Sequence, residues 1–435
     1  MTMRRERRTR NIALALLAPN FLGFLIFTAG PVIFSLIMAF TDWNLTLHNA
    51  YTHAHIHFIG LDNFRSLLSG EESGYFRQYF GNTLYMMLGI PIGIALSLLG
   101  AILLDADLKQ AQGKTRFLWM LALAGAAVLL LVLLHAPALA ICLTVITAVV
   151  LLLGQLFGQT SFRTLYYLPN LTSGVAIFIL WKALYNPNNG PINSVLRPAL
   201  DGLTSAVNHS PAWCWHGLGS LLIVAGAVLA LWMLYSTISM LITKEISPLG
   251  GLLSWLGVLA LALALAGIGY AITELPALAA VKDGIPAPDW LNSPVWSKPA
   301  LMLMGVFMAI GSGNMLMYLA ALSNVPLELR EAAAMDGASK WQAFRHVTWP
   351  QLAPTTFFIV IMSTIGGLQG GFDAARVMTE GGPAGSTTTL AYYIYQCGFV
   401  DFALGLASAI SWLMFIVIFV LTIINWKFGN SMVNE

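Results

Sequence analysis

The chain has 435 residues, 58% of them hydrophobic and 9% charged, with a formal net charge of +2 and a mean hydropathy of +0.76. A soluble domain carries about 25% charged and about 45–50% apolar residues, so this composition excludes an ordinary cytosolic enzyme, a disordered protein and a secreted disulfide scaffold. It points to a polytopic membrane protein. The small net charge gives no attraction to nucleic acid. Cys142, Cys214 and Cys397 show no CxxC or Cys/His spacing, so neither a disulfide framework nor a zinc site is expected.

A helix crosses the hydrocarbon core with about 20 apolar residues, and a charge at its centre costs about 2.5–3.5 kcal/mol. Ten charge-poor runs meet that demand: 12–40, 80–104, 117–134, 136–158, 164–182, 218–242, 249–273, 299–322, 355–376 and 402–426. The expected fold is all-α, a polytopic membrane protein of about ten transmembrane helices. The first run follows MTMRRERRTR and is longer than the apolar region of about 7–15 residues in a cleaved signal. It is therefore read as an uncleaved helix with its N-terminus inside. On that orientation fourteen of the 21 Lys and Arg fall on the inner side and seven outside, as the positive-inside rule requires, with both termini cytoplasmic.

Three outer segments are long: 41–79, 183–217 and 274–298. In the first, His53, His55 and His57 alternate and would share one face of a strand. The sequence places no carboxylate beside them, so a surface segment facing a binding protein is expected in preference to a metal site. No cofactor is expected. Cys214 and Cys397 both fall outside, where oxidising conditions permit a disulfide and nothing in the spacing fixes their distance.

The largest inner polar stretch is 323–354. Pro326 suits a first helical turn, and Glu328 and Glu331 sit near its positive end. Ala332, Ala333 and Ala334 are strong helix formers and Gly337 a natural stop. Ser339 with Gln342 forms a capping-box pattern for a second helix. Trp341, Phe344 and Val347 give that helix an apolar face, and Pro350 and Pro354 are expected to end it. The pattern alone admits a loop packed on its own bundle or an exposed docking element.

This stretch resembles the EAA loop of permease subunits in binding-protein-dependent ABC importers. Glu331-Ala332-Ala333, then Asp336-Gly337-Ala338, then Val347-Thr348-Trp349-Pro350 carry the likeness, with Trp349 where the family usually has Leu. Further pieces resemble the maltose-type first subunit of the sugar branch: Thr41-Asp42-Trp43-Asn44, residues 58–64 (FIGLDNF), 162–169 (FRTLYYLP) and 186–193 (NPNNGPIN), Asn314-Met315-Leu316, Gly381-Gly382-Pro383 and 401–405 (DFALG). The resemblance implies a six-helix core. Residues 109–159 and 218–273 would each insert a transmembrane hairpin, leaving 1–108, 160–217 and 274–435 as the core's segments.

The resemblance further implies a transport subunit in the bacterial inner membrane, not an enzyme. Its partners would be membrane lipid, a second permease subunit, two copies of a cytoplasmic ABC ATPase and an extracytoplasmic solute-binding protein that delivers a sugar or related solute. The chain agrees in lacking a P-loop: Gly113-Lys114-Thr115 mimics its tail, but Leu108 stands where the first glycine belongs. The ATPase-coupling residues implied are Glu331, Ala332, Ala333, Asp336, Gly337, Ala338 and Pro350. A substrate pathway would lie among the core helices, where mid-span polar groups are candidates: Asn314, Gln369 and Asp373 for hydrogen bonds, Phe372 or Tyr318 for stacking. The glycines of 364–373 (TIGGLQGGFD) would loosen that span, or else serve close helix packing. An ion-coupled secondary transporter acting alone is the alternative; it would want buried carboxylates in several spans, and these spans are nearly free of them.

Overall fold

The computed structural model describes residues 2–105, 125, 144, 174–242, 248–280 and 284–433. The expected spans 117–134 and 136–158, and the 164–173 part of the next, lie outside the described residues, as does the FRTLYYLP piece. Among the described residues the regular structure is helical, apart from one antiparallel bridge between Thr41 and Phe58.

In chain order the helices are α1 (Thr2–Phe24), α2 (Gly30–Ala39), α3 (Asp62–Ser69), α4 (Ser73–Met87), α5 (Gly89–Asp105), α6 (Gly174–Leu184), α7 (Pro191–His209), α8 (Ala212–Ile242) and α9 (Pro248–Ala279). They continue as α10 (Ser297–Ile310), α11 (Gly313–Ser323), α12 (Leu327–Met335), α13 (Lys340–Ala343), α14 (Trp349–Gln369), α15 (Leu390–Tyr395) and α16 (Leu404–Val433). Six stretches are long and apolar enough to cross a membrane: Ile12–Ala39, Ser73–Asp105, Ala212–Ser239, Ser297–Ser323, Lys340–Thr379 and Leu404–Ile424. Gly174–Leu184 and Leu265–Ala279 are shorter apolar helices. The described residues therefore carry six such stretches where ten were expected across the whole chain.

The chain forms two compact units, one of residues 1–105, 166–179 and 291–435, the other of 106–165 and 180–290. In the first, α5 packs on α10 and α11 through small residues. A Cβ on Gly93 would strike that of Ala309, and the Ser97 hydroxyl lies 2.8 Å from the Gly93 carbonyl and 2.7 Å from that of Ala309. In hydrocarbon, close backbone approach replaces the hydrophobic drive that water supplies. The first and last spans are pinned at one end. The Asn63 amide donates to the Ala39 and Thr41 carbonyls (2.9 and 2.8 Å), and the Gly405 amide donates to the Trp43 carbonyl (2.9 Å). Beside them a buried cluster of Ala39, Leu67, Leu390, Tyr393, Cys397, Ala407 and Ile410 closes that end.

In the second unit α8 and α9 run antiparallel, with Gly219 against Gly269 and Thr273 and Gly226 against Ala262 and Leu265. The NPNNGPIN piece is a turn and a helix start. The Asn186 side chain accepts from the Asn188 and Asn189 amides (3.0 and 3.2 Å), Gly190 caps α7 and Pro191 opens it. The buried Asn193 side chain bonds the Pro187 and Pro288 carbonyls and accepts from the Trp290 indole (2.7 Å).

Two spans are broken. Gly311 and Ser312 interrupt Ser297–Ser323, and Gly370 and Gly371 interrupt Lys340–Thr379 after Gln369. Gly371 has φ +81°, a conformation that L side chains rarely adopt. Pro350 and Pro354, in contrast, do not end a helix. The chain passes from α13 through a π-helical turn (Phe344–Thr348) straight into α14, with Pro350 in its first turn and Pro354 inside it. The wide turn shifts the hydrogen-bond register, so that the Trp349 amide reaches the Phe344 carbonyl just before the donor-less Pro350.

Candidate functional site

The 323–354 stretch folds as a helix, a corner and a second helix. α12 begins one residue after Pro326, with Glu328 in its first turn. It closes on paired bonds, Gly337 amide to Ala334 carbonyl (3.1 Å) and Ala338 amide to Ala333 carbonyl (3.0 Å), with Gly337 left-handed at φ +74°. This is a Schellman closure, and it explains in physical terms why a glycine follows the alanines at that distance. Ser339 and Gln342 form the expected capping box at α13 (3.3 and 2.8 Å).

Glu331, Ala332, Asp336 and Gly337 are exposed, Ala338 is half-buried, and Ala333 alone of the set is buried. Pro350 is exposed at the start of α14. Apolar groups stand out around the corner: Met335 is 89% exposed, Trp341 68% and Leu327 66%. Trp341 stacks on Phe344 (5.8 Å) instead of burying itself in the bundle. Such a patch of large apolar side chains rimmed by charge is the mark of an interaction surface. α12 is tied back to the core by Arg330, whose guanidinium lies 3.4 Å from the Asp105 carboxylate at the end of α5 and donates to the Leu322 carbonyl (3.0 Å).

Farther along the same spans lies a cavity of about 490 Å³. Four of the five candidate pathway residues line it: Asn314 from α11, just past one break, and Gln369, Phe372 and Asp373 at the other. The Asn314 amide donates to the Ser363 hydroxyl of α14 (3.3 Å), while Gln369 and Asp373 are exposed. The glycines divide their roles. Gly367 serves packing, since a Cβ there would strike Ile90 and Met87, whereas Gly366 has open space around it and Gly371 makes the bend. Phe372 belongs to an aromatic group with Tyr392 and Tyr395 (6.0 and 5.2 Å), and the Arg376 guanidinium covers Tyr395 at 4.5 Å. Sequence reasoning missed Ser363, Thr83 and this aromatic group. Their spacing is ordinary and only the break at Gly370 brings them together.

Tyr318 is not brought to this cavity. It is fully buried and lines a second, apolar cavity with Met87, Ile94, Trp349 and Val360, where its hydroxyl faces that of Thr356 without a well-formed hydrogen bond. It projects from α11 four residues beyond Asn314, toward the α12 end of the span.

The sequence pattern of the family described as "Binding-protein-dependent transport system inner membrane component" matches residues 140–428. The chain belongs to that family. This places it among multi-pass membrane permeases of ABC importers, and an ion-coupled secondary transporter is not favoured. YesP of Bacillus subtilis (strain 168), described as a probable ABC transporter permease protein, is 24% identical over 100% of this chain and 96% of its own. The sn-glycerol-3-phosphate permease protein UgpA of Agrobacterium fabrum is 37% identical over 28% of this chain and 42% of its own. For the lactose permease protein LacF of Rhizobium radiobacter the figures are 38%, 32% and 46%. The aligned stretch thus spans less than half of those two permeases. The permease fold is shared with a chain of a bacterial alginate ABC transporter, solved with a periplasmic protein carrying an alginate pentasaccharide. That likeness has a TM-score of 0.58 at 17% identity and covers 99% of this chain and 97% of the other.

Proposed function

We propose that this permease forms the translocation pathway for a sugar or related small solute, handed over by an extracytoplasmic binding protein. It pairs with a second permease subunit and with two copies of a cytoplasmic ABC ATPase. Both termini and the 323–354 corner lie on the cytoplasmic side. ATP is hydrolysed in the partners, and this chain converts their closure into helix movement.

The observation that carries this reading is the placement of the corner. An exposed apolar and acidic knuckle, stiffened by its own hydrogen bonds, is joined through α11 and α14 to a cavity whose wall contains the Gly370–Gly371 break and is flanked by the other at Ala309 and Asn314. A push on α12 is conveyed to α5 through Arg330 and Asp105, and to the cavity through α14. The cavity supplies what a sugar requires: amide and carboxylate groups for hydroxyls, and the face of Phe372 for a ring. Small-residue contacts such as Gly93 with Ala309 let the helices slide with little rearrangement of side chains.

The test is reconstitution. Vesicles holding this chain with its genetic-neighbour permease, ATPase and binding protein should take up solute only with ATP. Solute uptake by vesicles holding this chain alone would overturn the reading. For the topology, a cysteine placed at Ser339 should stay inaccessible to an impermeant thiol reagent added to intact cells.

A further inference from the structure

The segment after the first span contains a side-chain cluster that lies outside both the cavity and the 323–354 corner. Asp42 and His57 face each other across the short antiparallel pairing around the Thr41–Phe58 bridge. The Asp42 amide donates to the His57 carbonyl (3.2 Å), and the His57 amide donates to Asp42 Oδ1 (2.8 Å). The His57 ring brings Nδ1 to 3.3 Å from Asp42 Oδ2. His48 enters from a different turn. Its own amide and that of Leu47 both donate to the Asn44 carbonyl, and its Nε2 stands 3.7 Å from Asp42 Oδ1.

One ligand atom from each of Asp42, His48 and His57 can be chosen so that all three lie within 4.8 Å of one another. A tetrahedral zinc ion, with bonds of about 2.0–2.2 Å, holds its ligand atoms about 3.3–3.6 Å apart. His57 reaches Asp42 Oδ2 at 3.3 Å and His48 reaches Oδ1 at 3.7 Å, and a set with one atom from each residue spans at most 4.8 Å, so side-chain rotations of about 1 Å bring the three donors to that edge.

We propose that Asp42, His48 and His57 form a binding site for a divalent transition-metal ion of the zinc class. Two imidazoles and one carboxylate are a borderline donor set that suits zinc and its neighbours and not the hard, all-oxygen cations. The site is pre-formed in two respects. Backbone pairing fixes Asp42 against His57, and Asn44 meets His48 Nδ1 with both its amide and its carbonyl (3.1 Å each), which holds the ring in place with Nε2 toward Asp42. The exposures differ usefully: the His48 side chain is 7% exposed and that of His57 72%, so the inner ligand is fixed and the outer one leaves a coordination position open to water. His53 and His55, which alternate with His57 in sequence, take no part. The segment is not a strand, and His53 has φ +51°. An ion held here would cross-link residues 42, 48 and 57 and set the shape of the whole 41–59 segment.

The experiment is a zinc titration of the purified full-length chain in detergent, followed by calorimetry and by metal analysis after desalting. It needs no transport partner, so its result is independent of the transport reading. The wild type should retain one zinc ion per chain. His57→Gln and His48→Gln should each weaken binding by about tenfold or more, the loss that even an outer-shell partner of a metal ligand causes. The double variant His53→Ala/His55→Ala should bind as the wild type does. Because the His57 ring is largely exposed, His57→Gln leaves the fold intact, and unchanged helical circular dichroism will verify this. Absence of zinc binding by the wild type, equal binding by His57→Gln, or loss of binding in the His53/His55 variant would each overturn the site.

Discussion

The Arg330 guanidinium sits 3.4 Å from the Asp105 carboxylate, joining α12 to the end of α5, 225 positions away in the chain. Both side chains are partly exposed, 35% and 23%, so the pair contributes little to stability, about 0.2–1 kcal/mol. Its value is mechanical, because it gives α12 a second attachment besides its covalent one. Asp105→Asn and Arg330→Met should therefore leave membrane levels almost unchanged and lower ATP-driven uptake by about 2- to 30-fold, the span of a coupling loss of about 0.5–2 kcal/mol. Uptake per ATP hydrolysed is the quantity to measure.

Glu331→Lys and Gly337→Asp should abolish uptake while the chain still inserts. A side chain at Gly337 meets no atom within 4 Å, and its φ of +74° costs an ordinary residue about 1–2 kcal/mol, less for Asp. The defect should thus be in ATPase binding, read as loss of co-purification, with the permease itself present in the membrane. Normal uptake by both variants would count against the docking role.

In the cavity, Gln369→Leu should raise the KM for uptake about tenfold, the equivalent of one hydrogen bond to solute. Gln369 is exposed to the cavity, so folding should not suffer. Gly367→Val should act differently. Its added carbons collide with Ile90 and Met87, so lowered membrane levels or thermal stability are expected, not a selective change in KM.

Burial pushes the Cys397 thiol up to about 12, in a segment outside the apolar spans. The thiol stays protonated at neutral pH, and alkylation should be slowed on the order of a thousandfold relative to an ordinary cysteine. Peptide mapping after iodoacetamide treatment at pH 8 should find Cys397 unmodified in the native protein and modified in denaturant. Since the folded pKa lies above the unfolded one, this group's contribution to stability is intact below about pH 8.5 and falls as pH rises toward 12. Cys397 and Cys214 are free thiols in the structure.

The parts legible in the sequence were those governed by local chemistry. Gly337 and the Ser339/Gln342 box read correctly because a left-handed cap and a capping box involve residues within a few positions. The two prolines misled for a related reason: Pro350 normally marks an end, and only the π-helical turn before it lets the helix continue. The bend at Gly370–Gly371 was anticipated as loosening, since four glycines stand together. That at Gly311–Ser312 was not, because small residues are also the ordinary currency of membrane packing. Tyr318 looked like a pathway residue by its place in a span, yet it stands one turn farther along α11 than Asn314, on the same face, and that displacement along the axis brings it to a different cavity. Asp42, His48 and His57 were hidden because irregular loop geometry, not any period, unites them.

Asn63 and Gly405 pin the first and last spans at one end only, with Trp412 Nε1 donating to Ser35 Oγ (3.2 Å) just below. Two rods fastened at the tip can separate only as a pair of tongs does, widest at the free ends. The residues near Ile12 and Ile424 must then travel farthest in any opening, and a short cross-link between those tails should arrest the cycle more completely than one placed beside the clasp.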